Sequence, residues 1–90
     1  MDESCFVYIL RSRSTGRYYV GSSSDVAERL ECHNDGKVHS TKGRGPWELV
    51  HRESFATRRE ACARERHIKR QKSRRWIERL IADSDRNAGL

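Results

Sequence analysis

Apolar and polar positions fall into short, phased runs along this chain. Cys5-Phe6-Val7-Tyr8-Ile9-Leu10 is an apolar hexad rich in β-branched and aromatic residues, and Tyr18-Tyr19-Val20 follows across a loop containing Ser14-Thr15-Gly16. That pattern predicts a β-hairpin, its second strand ended by Gly21. Ser22-Ser23-Ser24-Asp25 then offers side-chain oxygens to the orphan amides of a helix running from about Val26 to Asn34. Asp25 with Glu28 resembles a capping box, and Asp35-Gly36 stops the helix. Residues 36 to 47 read as a polar loop. Glu48 to Phe55 has the composition of a third strand, placed at a sheet edge where water reaches one face. Thr57-Arg58-Arg59-Glu60 is a second capping box and opens a helix to about Arg70. Ser73 caps a last helix in which Trp76 with Leu80 and Ile77 with Ile81 form two i, i+4 rows, an apolar stripe that must dock on the sheet. The expected fold is α+β in the order ββαβαα, one domain over residues 1–82 followed by a polar tail at 83–90.

Composition tests that reading. Leu, Ile, Val and Phe supply 16 of 90 residues, a share that with high charge leans toward disorder. The phasing outweighs it and implies a folded domain with a thin core. The longest apolar run is six residues, against the roughly 20 needed to span a membrane. Met-Asp-Glu-Ser at the start is no basic signal region, so a cytoplasmic protein is expected. Cys5, Cys32 and Cys62 are odd in number and widely spaced, which suits neither a disulfide framework nor a paired metal half-site.

Charge is uneven. Of 19 Lys+Arg and 13 Asp+Glu, ten basic and three acidic residues lie between Thr57 and Arg79, a local +7 against −1 for the rest of the chain. Such a concentration is the footprint of a polyanion ligand, because each neutralised phosphate releases condensed counterions. Arg64, Arg66, Lys69, Lys72 and Arg75 are the candidate phosphate contacts, with a solvated helix face as the competing explanation.

Three spacings look chemical. Tyr8 and Tyr19 sit on the two arms of the hairpin, so one sheet face can present two phenols together, either for chemistry or for cross-strand packing. Arg29 and His33 are i, i+4 on one side of the first helix, beside Val26 and Leu30. A surface pairing of Arg29 with Glu28 or Glu31, and a solvated His33 at the helix end, would account for them equally. Glu65 lies on the inward stripe between Ala61 and Ile68 of a helix otherwise covered with arginine. A buried carboxylate needs a partner, either an arginine or a divalent cation held with water and phosphate oxygens.

These residues together resemble the GIY-YIG nuclease family, especially its small stand-alone bacterial members and the N-terminal cleavage domain of the excision-repair nuclease. The match covers roughly residues 5 to 82. The first signature triplet corresponds to Phe6-Val7-Tyr8 and the second to Tyr19-Val20-Gly21, eleven residues from tyrosine to tyrosine. Arg29 matches the family's helix arginine, His33 the aromatic or histidine one turn later, and Glu65 the metal-binding glutamate. Phe6 replaces the family's first glycine, a loosened form that small stand-alone members share. The resemblance implies a small three-stranded antiparallel sheet flanked by helices, and hydrolysis of phosphodiester bonds by one divalent metal ion.

Phosphodiester cleavage needs a deprotonated water, neutralised developing charge and a stabilised leaving oxygen. By the resemblance, Glu65 holds Mg²⁺ or Mn²⁺, Arg29 donates to the phosphate oxygens, and Tyr8 positions or deprotonates the water. A tyrosine acts as base at neutral pH if nearby positive charge favours its phenolate, and Arg29 is expected to supply that charge. His33 orients Tyr8 or accepts its proton; Tyr19 orients water or phosphate. The expected substrate is DNA, with RNA open, in repair or processing, and targeting by another protein fits a chain without an appended specificity domain. A non-catalytic nucleic-acid-binding module on the same fold is the alternative. A zinc adaptor using Cys32 and His33 is the third, and adjacent ligands fit no usual tetrahedral framework.

Overall fold

The computed structural model describes residues 4–88, with side chains described through residue 84. Strand β1, Cys5–Ser12, pairs antiparallel with β2, Tyr18–Ser23, and with β3, Trp47–Phe55, giving the order β2-β1-β3. Helix α1, Val26–Asn34, and a 3₁₀ turn, His39–Thr41, lie between β2 and β3; α2, Arg58–Gln71, and α3, Arg74–Ala88, close the chain. The α+β order ββαβαα and the edge position of β3 agree with the sequence pattern.

Both faces of the sheet are covered, because β1 alternates. Cys5, Val7 and Ile9 pack with Val20 against Ala61 and Ile68 of α2, and the stripe Trp76, Ile77, Leu80 and Ile81 of α3 docks on this same cluster. Tyr8 and Leu10 point the other way and pack with Val26 of α1 and with Trp47, joined by Phe6, Tyr19 and Leu30. The thin core is thus two half-cores that share the central strand. An uninterrupted apolar hexad is what a strand covered on both faces requires.

Caps set the helix starts. The Asp25 carboxylate accepts from the Glu28 amide at 3.0 Å, Thr57 Oγ1 from the Glu60 amide at 3.2 Å, and Ser73 Oγ from the Trp76 amide at 3.2 Å. Three boundaries differ from the sequence expectation. Gly21 does not end β2, which continues to Ser23, since Gly21 still pairs with Tyr8. Strand β3 begins at Trp47, inside the expected loop, because Asn34 at the end of α1 clamps its backbone: Trp47 N donates to Asn34 Oδ1 at 2.6 Å, and Asn34 Nδ2 donates to Trp47 O at 3.2 Å. Helix α3 shows no break at residue 82 and runs on to Ala88, and residues 89–90 of the expected tail lie outside the described residues. A bulge between Ile9 and Leu10 leaves Val50 without an opposite residue on β1.

Candidate active site

Pairing of β1 with β2 sets Tyr8 opposite Gly21 and Leu10 opposite Tyr19, so Tyr8 and Tyr19 are diagonal neighbours on the α1 side, ring centroids 6.3 Å apart. Tyr8 is 1% exposed. Its ring lies directly over Gly21: a Cβ there would stand 2.6 Å from Oη and 2.7 Å from Cζ. Glycine in mid-strand is therefore the condition for seating the phenol, a use of strand glycine for close approach.

Helix α1 delivers His33 to this phenol. His33 is 2% exposed, so it is no solvated helix-end histidine. Its Nε2 lies 3.1 Å from Tyr8 Oη and its Nδ1 2.8 Å from Thr41 Oγ1, while the Thr41 hydroxyl donates to Val38 O at 3.3 Å. We assign the direction of this chain with the Thr41 proton on Val38 O. With its proton committed to Val38, Thr41 Oγ1 accepts from His33 Nδ1–H; the bare Nε2 then accepts from the Tyr8 hydroxyl. Trp47 Nε1 donates to Thr41 O at 3.3 Å and anchors the 3₁₀ turn. Tyr19 packs on His33 at a centroid distance of 4.6 Å, with Trp47 6.4 Å from Tyr19.

Electrostatics favour neutral partners at rest. Burial, and then the nearby Arg29 charge, push His33 below its ordinary value, so its Nε2 lone pair is available at neutral pH. Burial raises Tyr8 above the usual tyrosine value, assisted by Tyr19 and Glu65; the Arg29 guanidinium beside the hydroxyl pulls the other way and loses. This corrects the expectation that Arg29 favours a resting phenolate. A phenolate shut away from water loses more solvation than one part-exposed cation offsets. Arg29 itself is held charged chiefly by the Tyr8 hydroxyl. Among the described residues it has no carboxylate within ion-pair distance, so it answers neither Glu28 nor Glu31.

Glu65 projects from α2 toward β2. Its Oε1 accepts from Ser22 Oγ at 2.7 Å and its Oε2 pairs with Lys69 Nζ at 2.6 Å. Burial alone would raise this carboxyl; hydrogen bonds from Lys69 and Ser22, with the Lys69 and Arg66 charges, overturn that and hold it below the ordinary value. Its partner is thus a lysine and a serine rather than an arginine. Among the described residues no group of three or more His, Cys, Asp or Glu side chains gathers as a metal cage. A hard cation such as Mg²⁺ needs none, since it is commonly held by one or two carboxylates with waters and substrate phosphate. An ionised, one-fifth-exposed carboxylate with a hydroxyl on one oxygen and a half-exposed ammonium on the other fits that use, because Lys69 already marks the spot as one that attracts a cation.

The basic candidates divide. Arg64 is committed to the fold: its Nε and Nη2 donate to Glu53 at 2.8 and 3.1 Å, and its guanidinium lies 5.9 Å above the Trp76 ring. Lys69 is paired with Glu65. Arg66, Lys72 and Arg75 are exposed and make no ion pair among the described residues. Ser4, Cys5, Ser22, Ser23, Ser24 and Arg29, with Arg58 at the start of α2, line a polar cleft of about 610 Å³, and Arg29 is the lining residue that also borders the Tyr8 hydroxyl. Sequence reasoning missed Thr41, Asn34, Trp47 and Arg58 as parts of this region. A glycine inside a strand pattern was the available signal for Gly21; Thr41 gave none, because a 3₁₀ turn leaves no periodicity.

Residues 4–78 match the family model described as the GIY-YIG catalytic domain. The chain belongs to the GIY-YIG family. It is similar to a UPF0213 protein of Streptococcus pneumoniae, 38% identical over 88 residues that cover 97% of this chain and 88% of the relative. A UPF0213 protein of Staphylococcus aureus is 44% identical over 79 residues, 83% of this chain and 95% of the relative. Among solved structures, the solution NMR structure of a UPF0213 protein from Bacillus halodurans superposes with a TM-score of 0.56 at 38% identity, covering 88% of this chain and 83% of that one. GIY-YIG is a family of nucleases, and no helix among the described residues is long and apolar enough to cross a membrane.

Proposed function

We propose that this GIY-YIG chain is a divalent-metal-dependent endonuclease that hydrolyses phosphodiester bonds in DNA. The observation that carries the reading is the hydrogen-bonded chain Tyr8–His33–Thr41–Val38, whose phenol end lies beside Arg29, an arginine with no ion pair among the described residues. Tyr8 rests neutral, so it works as a relay: it passes its proton to His33 Nε2 as it takes one from the attacking water. Arg29 donates to the phosphate oxygens and offsets the charge that builds on them. Tyr19 packs on His33 and holds the imidazole in line. Glu65 and Ser22 would hold Mg²⁺ or Mn²⁺, which when bound lowers the pKa of its water and neutralises charge on the leaving oxygen. Structure-selective cutting in DNA repair or processing, in the cytoplasm and with a targeting protein, is the wider role that this small domain suits.

A second reading, a nucleic-acid-binding module without cleavage, draws on one observation, the Lys69 ammonium already seated on Glu65. Glu65→Gln separates the two. Lys69 is half exposed and stays solvated without its partner, so the loss is that of a surface pair, about 0.2–1 kcal/mol. On one folded preparation, Mg²⁺-dependent cutting should collapse while DNA binding in EDTA survives or tightens. Wild-type cutting rates in that variant would sink the ligand assignment.

A further inference from the structure

We infer that Arg58 holds a second phosphate of the substrate, the one next to the scissile phosphate on the strand being cut; this rests on the nuclease reading above. Arg29 lines two spaces at once, standing beside the Tyr8 hydroxyl and forming a wall of the serine-lined cleft. A phosphate held by Arg29 for attack therefore has this cleft as its neighbour. Arg58, the first residue of α2 after its Thr57 cap, lines the same cleft. Arg58 is exposed and has no carboxylate partner among the described residues, unlike Arg64 on the same helix, which is held by Glu53. The cleft's volume of about 610 Å³ lies within the roughly 300–1,000 Å³ of small-ligand sites. Apart from Cys5, its lining is serine and arginine with no aromatic ring, so it suits a hydrated phosphodiester and not a stacked base. Ser22 and Ser23 already direct their hydroxyls to Glu65 and to the Asp25 backbone, while Ser24 and Arg58 are exposed lining groups that can meet a phosphate. A planar guanidinium takes phosphate bidentately. The consequence is a substrate requirement: a strand ending at the scissile phosphate on the cleft side is held by Arg29 alone and cut poorly.

Fluorescently labelled DNA oligonucleotides, each with one neutral methylphosphonate linkage at a successive position, test this with wild-type protein, Arg58→Ala and Arg59→Ala. Arg59 is the neighbouring exposed arginine outside the cleft. Arg58→Ala should weaken binding in EDTA several-fold and lower the slope of log K against log salt by about one, with Arg59→Ala near wild type. One methylphosphonate adjacent to the cut should weaken wild type by the same factor and leave Arg58→Ala indifferent. Equal behaviour of the two variants, or a methylphosphonate penalty that persists in Arg58→Ala, would overturn the inference while leaving the nuclease reading intact. Wild-type protein that neither binds nor cuts any of these oligonucleotides would instead remove the nuclease reading.

Discussion

At the scale of single residues, His33 and Gly21 carry the sharpest consequences. The folded protein holds His33 neutral by burial and by the Arg29 charge, with its pKa below the ordinary 6.5. Between pH 6.5 and that lowered value the unfolded chain binds more protons than the folded one, so this residue's cost is absent above about pH 6.5 and grows as pH falls through the folded pKa. Cutting should fall over the same window, because a protonated Nε2 cannot accept from Tyr8. Titration of the His33 ring followed by NMR checks both; a midpoint at or above 6.5 would contradict the burial-lowered His33 on which both expectations rest. Gly21→Ala places a methyl group within 2.7 Å of the Tyr8 ring. Overpacking of that kind costs about 1–3 kcal/mol and displaces the phenol, so a lower Tm should accompany loss of cutting. A variant with unchanged Tm and rate would mean that the phenol can move away freely.

At the scale of elements, α2 is where charge counting and geometry part. Arg64, Lys69 and Arg66 look alike in sequence, yet Arg64 forks onto Glu53, whose other contact is buried His51 at 2.7 Å. Arg64→Ala should therefore lower stability by about 1.5–3 kcal/mol, the range for hydrogen bonds to charged groups. It should leave the salt dependence of DNA binding unchanged. A shallower salt slope with unaltered Tm would return Arg64 to the phosphate contacts. Periodicity could not make this distinction, because Glu53 lies eleven residues away on β3 and its partner is set by the sheet register. Helix starts, in contrast, were legible: Asp25, Thr57 and Ser73 act within three residues of themselves, so local sequence suffices. The expected end of β2 at Gly21 failed because a glycine can mark a turn or a close approach, and only the position of Tyr8 across the strand decides which.

At the scale of the whole molecule, the sheet divides labour between its faces. One side stores the apolar stripe of α3, and the other seats Tyr8, Tyr19 and His33 against α1; on β2, an edge strand, Ser22 both lines the cleft and donates to Glu65. Of the five residues marked in the sequence, Tyr8, Tyr19, Arg29 and His33 meet on the α1 side of the sheet, and Glu65 reaches β2 from α2 through Ser22. What supports them was not legible, since Thr41, Asn34 and Trp47 act through turns and long-range clamps that leave no spacing to read. The central claim is that this arrangement cuts DNA through Tyr8 with a divalent ion. Its most direct test is one cleavage assay on single-stranded, duplex, nicked and branched DNA, comparing wild-type protein with Tyr8→Phe in Mg²⁺, Mn²⁺ and EDTA. Wild type should cut at least one substrate with metal and none in EDTA, while Tyr8→Phe, still folded and still binding, should lose about 10²–10⁴-fold in rate. Cutting by Tyr8→Phe at the wild-type rate, or wild-type cutting that persists in EDTA, would contradict the account.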